Sequence, residues 1–391
     1  MSSDKLSFFG LDQYPDLEFY SVEELEDRII KKYEGQEWEK WLVLKNEYEW
    51  LKEAPSYLNY HFPGLLQDVI QFQDDDRCIE MHLSKPNRKS LAQEILSGNV
   101  DDIQAVKYLD SAIYILGEYI YPIYTEEFRI DRLHTEIGLD SFFNKTSLLN
   151  FFYKYEYKNP KDPKDPFITS IFKSNKIIVN QKVCPSVAEV FNFIKNRELS
   201  IKPRYKMQTI HGNFYLNNIL IEPGSKTQTE WITLINPKNF DQHWLYSEQF
   251  LGLPVLDFSS LMLNLECYWD EIIFGGFDYE NGAFGSECQV NFEVNTEFTS
   301  VYEKGLQFLN TKRAYFAEFQ GVSEQDFTMI MLCTEWLQLF NKIIEIDRTN
   351  FHNQIKTLIL LGILGLLGKR LLCYTKNFDE FVFPEMRVEL G

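Results

Sequence analysis

Three stretches of the 391-residue chain carry residue types from which a reaction site could be assembled: IHGNFYLNNILI over 210–221, LINPK over 234–238 and GLPVLDFSSL over 252–261. They contain His211, Asn213, Asn218, Asn236 and Asp257. An asparagine amide offers one carbonyl oxygen and two N–H donors, but nothing that takes up a proton near neutral pH. Such groups can orient a hydroxyl or lend an oxygen to a cation; they cannot serve as a general base. Upstream, the adjacent Lys31 and Lys32 supply positive charge, and Glu47 supplies an acid. Each residue also has a plainer account. Asparagine favours turns and caps in any fold, His211 fits a core histidine, and Glu47 lies among Glu49, Lys52 and Glu53 as on an ordinary charged helix face.

These residues must be positioned by elements whose patterns differ along the chain. DRIIKKY at 27–33 reads as a strand, WLVLKNEYEWLK at 41–52 has helical spacing, and Pro55 and Pro63 lead to a second strand candidate at 65–72. A further strand at 78–83 (CIEMHL) runs into the turn SKPNRKS, after which residues 91–124 read as mainly helical. That change sets the expected domain boundary: a small lobe over 1–85 and a helical lobe over 86–391. The Pro-rich, charged KNPKDPKDP at 158–166 reads as an exposed loop, and 185–197 as a helix. A turn-rich loop and a hairpin occupy 209–261, with NNILIE and WITLIN flanking PGSKTQTE. Helical periodicity returns at 256–274, 325–346 and 352–373.

The three stretches, in order and spacing, resemble the H-G-D-x-x-x-x-N-I-L, I-D-P and G-D-P-x-x-D-L-A-x-L motifs of the aminoglycoside phosphotransferase and choline kinase superfamily. KNEYEWL at 45–51, HFPGLL at 61–66, and 80–83 followed by Ser90 and Leu91, resemble its small lobe and hinge. The resemblance spans about residues 29–369. Tyr268, Asp270 and Gly275–Gly276 add a likeness to kinase-like proteins of bacterial capsule and surface-sugar pathways. The implied fold is α+β: a bilobal protein-kinase-like arrangement with a small mixed N-lobe and a large, mostly helical C-lobe.

Phosphoryl transfer needs a partner for phosphate charge, metal ligands and a group that orients the acceptor hydroxyl. By the resemblance, Lys31 or Lys32 neutralises nucleotide phosphates, with Lys32 slightly preferred, and Glu47 orients that lysine. Glu80 belongs to the nucleotide-binding set. His211 braces the catalytic loop, Asn218 stands at a metal-ligating position, and Asp257 ties the catalytic segment together. Asn213 stands where the family has its catalytic base, and Asn236 where it has a metal-binding aspartate. Leu253 replaces a further Asp. A neutral carbonyl thus faces the place of a hard cation that favours carboxylates. Asp241 is a replacement ligand to weigh, and Trp244, Tyr246 and Phe250 a stacking cluster, although loop and core roles suit these residues better.

The expectation is a kinase-fold pseudoenzyme that binds ATP or another nucleotide with weak or absent magnesium dependence, or that scaffolds a partner protein. The alternative is an active transferase acting on a sugar, aminoglycoside or choline-like hydroxyl, with Asn213 positioning the substrate. A formal charge of −19 and a pI near 4.8 argue against a nucleic-acid partner. Six scattered cysteines with no CxxC pair point to reduced thiols and a cytoplasmic setting, as does an N-terminus without a signal-like pattern. The apolar run TLILLGILGLL at 357–367 is short of the roughly 20 residues a bilayer span needs, so a buried helix is expected there.

Overall fold

The computed structural model describes residues 21–35, 38–53, 58, 62, 64–75, 78–123, 125–128, 174–198, 205–222, 232–237, 251–283, 287–294, 298–346 and 351–376. The protein is α+β. It divides into two compact units, each built from three chain segments. The first comprises Met1–Glu126, Lys206–Leu265 and Glu297–Gln320; the second comprises Glu127–Tyr205, Glu266–Thr296 and Gly321–Gly391. Residue 85, where strands give way to helices, falls inside the first unit. The loop expected at 158–166 lies outside the described residues.

In the first unit, β1 (Ser21–Glu24), β2 (Arg28–Glu34), β3 (Val69–Asp75) and β4 (Cys78–Ser84) form an antiparallel sheet ordered β1-β2-β4-β3. Ile29, Lys31 and Tyr33 of β2 are buried while Ile30 and Lys32 lie on the other face, following the two-residue strand period. Helix α1 (Trp38–Glu53) turns Leu44, Glu47, Trp50 and Leu51 inward. The second strand begins later than its sequence pattern implies, at Val69. Leu65 and Leu66 are buried ahead of it, and the Leu65 carbonyl accepts from Leu234 N at 2.7 Å.

After β5 (Lys89–Ser90), α2 (Leu91–Leu96) and α3 (Asp102–Ile115) each begin with a capping box, Ser90 with Gln93 and Asp101 with Gln104. α3 passes into a π turn at Leu116–Ile120 and a 3-10 turn at Tyr121–Ile123. A β-carbon on Gly117 would meet Tyr315 Oη at 2.4 Å, so α7 (Thr299–Gln320) approaches closely only because that position has none. The expected hairpin is present as β10 (Ile219–Ile221) paired with β11 (Ile232–Leu234), and β5 joins its other edge. β12 (Leu251–Gly252) pairs with β9 (Tyr205–Thr209), in a sheet ordered β12-β9-β6 with β6 at Thr125–Phe128. α5 (Pro254–Glu266) follows.

The second unit contains β7 (Ile177–Val179), β8 (Lys182–Cys184), β13 (Phe277–Ala283) and β14 (Cys288–Val294), ordered β13-β14-β7-β8 with β7 and β14 parallel. Its helices are α4 (Val187–Glu198), α6 (Trp269–Phe274), α8 (Glu324–Glu345) and α9 (Phe351–Lys376). Gly362, Gly365 and Gly368 recur every three residues along α9. β-carbons there would come within 2.7 Å of Val290, 3.0 Å of Ile177 and 2.6 Å of Val190 respectively. The missing side chains let the helix backbone lie close on its neighbours. Arg370 pairs with the buried Glu266 and Glu335, and Lys356 donates to the Ile273 carbonyl near the C-terminal end of α6. Among the described residues one helix, Phe351–Tyr374, is long and apolar enough to cross a membrane; 72% of its apolar window is buried within the protein.

Candidate functional site

The first unit assembles most of the residues singled out from sequence. Strand alternation decides between the two lysines: Lys31 shares the inner face of β2 with Ile29 and Tyr33, whereas Lys32 points outward. Lys31 Nζ lies 2.5 Å from Glu47 Oε1, and both residues are only 2% exposed. The lysine that pairs with Glu47 is therefore Lys31 and not the slightly preferred Lys32. Lys32 pairs with Glu34 at 2.6 Å and Glu80 at 3.6 Å on the outer face, and Glu80 also contacts His82 at 2.7 Å. Lys32 and Glu80 stand apart from the Lys31 cluster because neighbouring strand positions face opposite ways.

The His211 loop is held from two sides. Asp257, near the start of α5, is fully buried and accepts from His211 N at 2.9 Å and Gly212 N at 2.6 Å. Gly212 sits at φ +74, where a side chain is unfavourable. Tyr121, placed by the turns after α3, brings its hydroxyl within 3.4 Å of the same carboxylate. Burial pushes the Asp257 carboxyl up to about 7, with the two backbone N–H groups acting in the opposite direction. From α1, Trp50 Nε1 donates to the Ile210 carbonyl at 3.0 Å, and its ring meets the His211 ring edge to face. His211 is fully buried, and desolvation lowers its pKa to about 3, partly opposed by backbone groups of Ile235 and Asn213. It is a neutral packing group at physiological pH.

The three asparagines meet. Asn213 Nδ2 donates to the Asn236 carbonyl at 3.0 Å, Asn218 Nδ2 to the Asn213 carbonyl at 2.7 Å, and Asn236 Nδ2 to Asn218 Oδ1 at 2.9 Å. Asn236 Oδ1 in turn accepts from Lys31 Nζ at 2.6 Å. The hairpin β10–β11 makes this meeting possible: it starts after Asn218 and ends two residues before Asn236, returning the chain to its origin. Asn236 adopts φ +55, a left-handed conformation that asparagine tolerates better than most residues. Leu253 is half-buried ahead of α5, and its carbonyl accepts from Leu256 N. Asp241, Trp244, Tyr246 and Phe250 lie outside the described residues.

Among the described residues, the side chains gathered here do not by themselves make a divalent magnesium site. Hard cations favour several oxygens, carboxylates foremost. Here Asn236 Oδ1 already accepts from an ammonium, Asn218 Oδ1 from an amide, and the carboxylate of Glu47 is engaged by Lys31. Asn213 and Asn218 are 5% and 6% exposed, so those two amides face protein rather than solvent, whereas Asn236 is half-buried. Among the described residues, the cluster offers amide hydrogen-bond donors and acceptors and the Lys31–Glu47 ion pair. Two contributors escaped sequence reasoning: Trp50, whose indole signal lay in the run EYEWLK, and Tyr121, which only the π turn brings into position. No family model matches the chain, and no curated protein matches it significantly.

Proposed function

We propose that this chain is a kinase-fold pseudoenzyme of the aminoglycoside phosphotransferase and choline kinase type, acting as a nucleotide-binding or scaffolding protein. The observation that carries the reading is the hydrogen-bond chain from Glu47 through Lys31 to Asn236, which joins a ring of Asn236, Asn218 and Asn213 closed through two backbone carbonyls, so that positions expected to hold phosphate, metal and acceptor hydroxyl bond to one another. Further support comes from the strand-to-helix pair Lys31–Glu47, from the Asp257 clamp on the His211 loop, and from the hairpin joining the second and third asparagines. The bilobal kinase-like arrangement and a cytoplasmic setting, in keeping with six free cysteines, belong to the same proposal.

Without a base, about 10²–10⁴ in rate is forfeited, and loss of a metal site removes transition-state charge stabilisation as well. Incubation with labelled ATP, magnesium or manganese, and a panel of sugars, aminoglycosides, choline-like alcohols and proteins should give no transfer. Turnover abolished by Asn218→Ala would sink the reading. Thermal unfolding should respond to ATP equally with and without magnesium; stabilisation by ATP that requires magnesium contradicts it.

A further inference from the structure

We propose that the Lys31 ammonium is the permanent internal cation of this cluster, standing in for the divalent metal of a phosphoryl-transfer site. The inference rests on reading residues 210–257 as a former phosphotransferase cleft. Lys31 Nζ lies 2.5 Å from Glu47 Oε1 and 2.6 Å from Asn236 Oδ1, and the amide nitrogen of Asn236 donates to Asn218 Oδ1 at 2.9 Å. Oxygens from one carboxylate and two amides are therefore ordered around one positive charge, directly or through a single amide.

Charge balance explains why an amide suits position 236. Lys31 and Glu47 are oppositely charged, so a neutral group at 236 adds no further charge to this part-buried cluster. An aspartate there would add a negative charge beside a lysine–glutamate pair whose members are each 2% exposed, and buried charges demand a partner. The asparagine and the inward lysine are thus one device. It holds the loops bearing Asn213 and Asn236 against β2 and α1 without a metal, and divalent ions do not bind there.

The test uses Mn²⁺ alone, followed by electron paramagnetic resonance of the free ion and by thermal unfolding of the full chain. The wild type and Asn236→Asp, both with Lys31 in place, should show no uptake at the cluster and no Mn²⁺-dependent rise in Tm. The double substitution Lys31→Met with Asn236→Asp should bind Mn²⁺ about ten-fold or more tightly than either, with a rise in Tm. Equal uptake by wild type and double variant, or a double variant with native circular dichroism and no uptake, overturns the assignment. Should the double variant not fold, Lys31→Ala decides: methylammonium should raise its Tm more than that of the wild type, and equal shifts refute the idea. Mn²⁺ uptake by the wild-type cluster without phosphoryl transfer removes this inference alone, whereas ATP turnover removes the pseudoenzyme reading beneath it.

Discussion

Asp257 is a carboxyl held by two backbone N–H groups and a tyrosine in the buried interior, and the two influences on its protonation pull apart. Burial prevails and holds it near 7 against an ordinary 3.8. The folded chain therefore keeps a proton that the unfolded chain has released between about pH 4 and 7, and this residue's contribution to stability falls as pH rises through that window, by up to about 1.4 kcal/mol per unit. His211 acts oppositely. Its pKa of about 3 in the fold, against 6.5, makes its contribution grow with pH between those values. A wild-type curve mixes the two, so the check is a comparison. The stability gap between wild type and Asp257→Asn should narrow from pH 5 to pH 8 in urea titrations; a gap that widens would mean that the N–H bonds outweigh burial. The residues of this site were legible to different degrees. Asn213, Asn218 and Asn236 were found because their spacing is local to three motifs. Lys31 was not separated from Lys32 because RIIKKY carries apolar and basic residues on both strand phases; Tyr33, in phase with Ile29 and Lys31, was the signal available.

At the scale of elements, α9 poses a small paradox. Three glycines in one helix weaken its intrinsic preference by about 1 kcal/mol each relative to alanine, yet the helix runs 26 residues. Close packing outweighs propensity. Gly362→Ala and Gly368→Ala should each destabilise the protein by about 1–3 kcal/mol despite the propensity gain, because the new methyl meets branched Val290 or Val190 rather than a flexible chain end. Urea unfolding measures this, and a stabilised variant would show that the helix can shift away. The sequence announced α9 through its apolar run, and it announced α1, α8 and the β10–β11 hairpin through periodicity. It did not yield α7, although Val301, Tyr302, Leu306, Leu309 and Phe316 form a helical stripe, nor β7, β8, β13 and β14. Three-residue strands such as β7 and β8 offer too few alternations to stand out; they pair with each other, and β7 joins the sheet through β14, over 100 residues away.

For the molecule as a whole, a formal charge of −19 means that self-repulsion opposes the compact state at low ionic strength. Added sodium chloride shortens the screening length from about 10 Å at 0.1 M to about 3 Å at 1 M. Tm should rise with salt over that range, and calorimetry showing a fall would point to surface ion pairs, such as Lys304–Asp102, as the stronger term. The interleaving of the two units also has a bearing on biosynthesis. The first unit is complete only when Glu297–Gln320 has been made. Until then α3, the π turn and Tyr121 lack the helix bearing Tyr315, Phe316 and Phe319 that covers them. About 180 residues separate Ile115 from Thr299, a delay on the order of tens of seconds at about 5–20 residues per second. A nascent chain paused within that interval displays an apolar face whose covering helix has yet to be made, a window of exposure that follows from segment order alone.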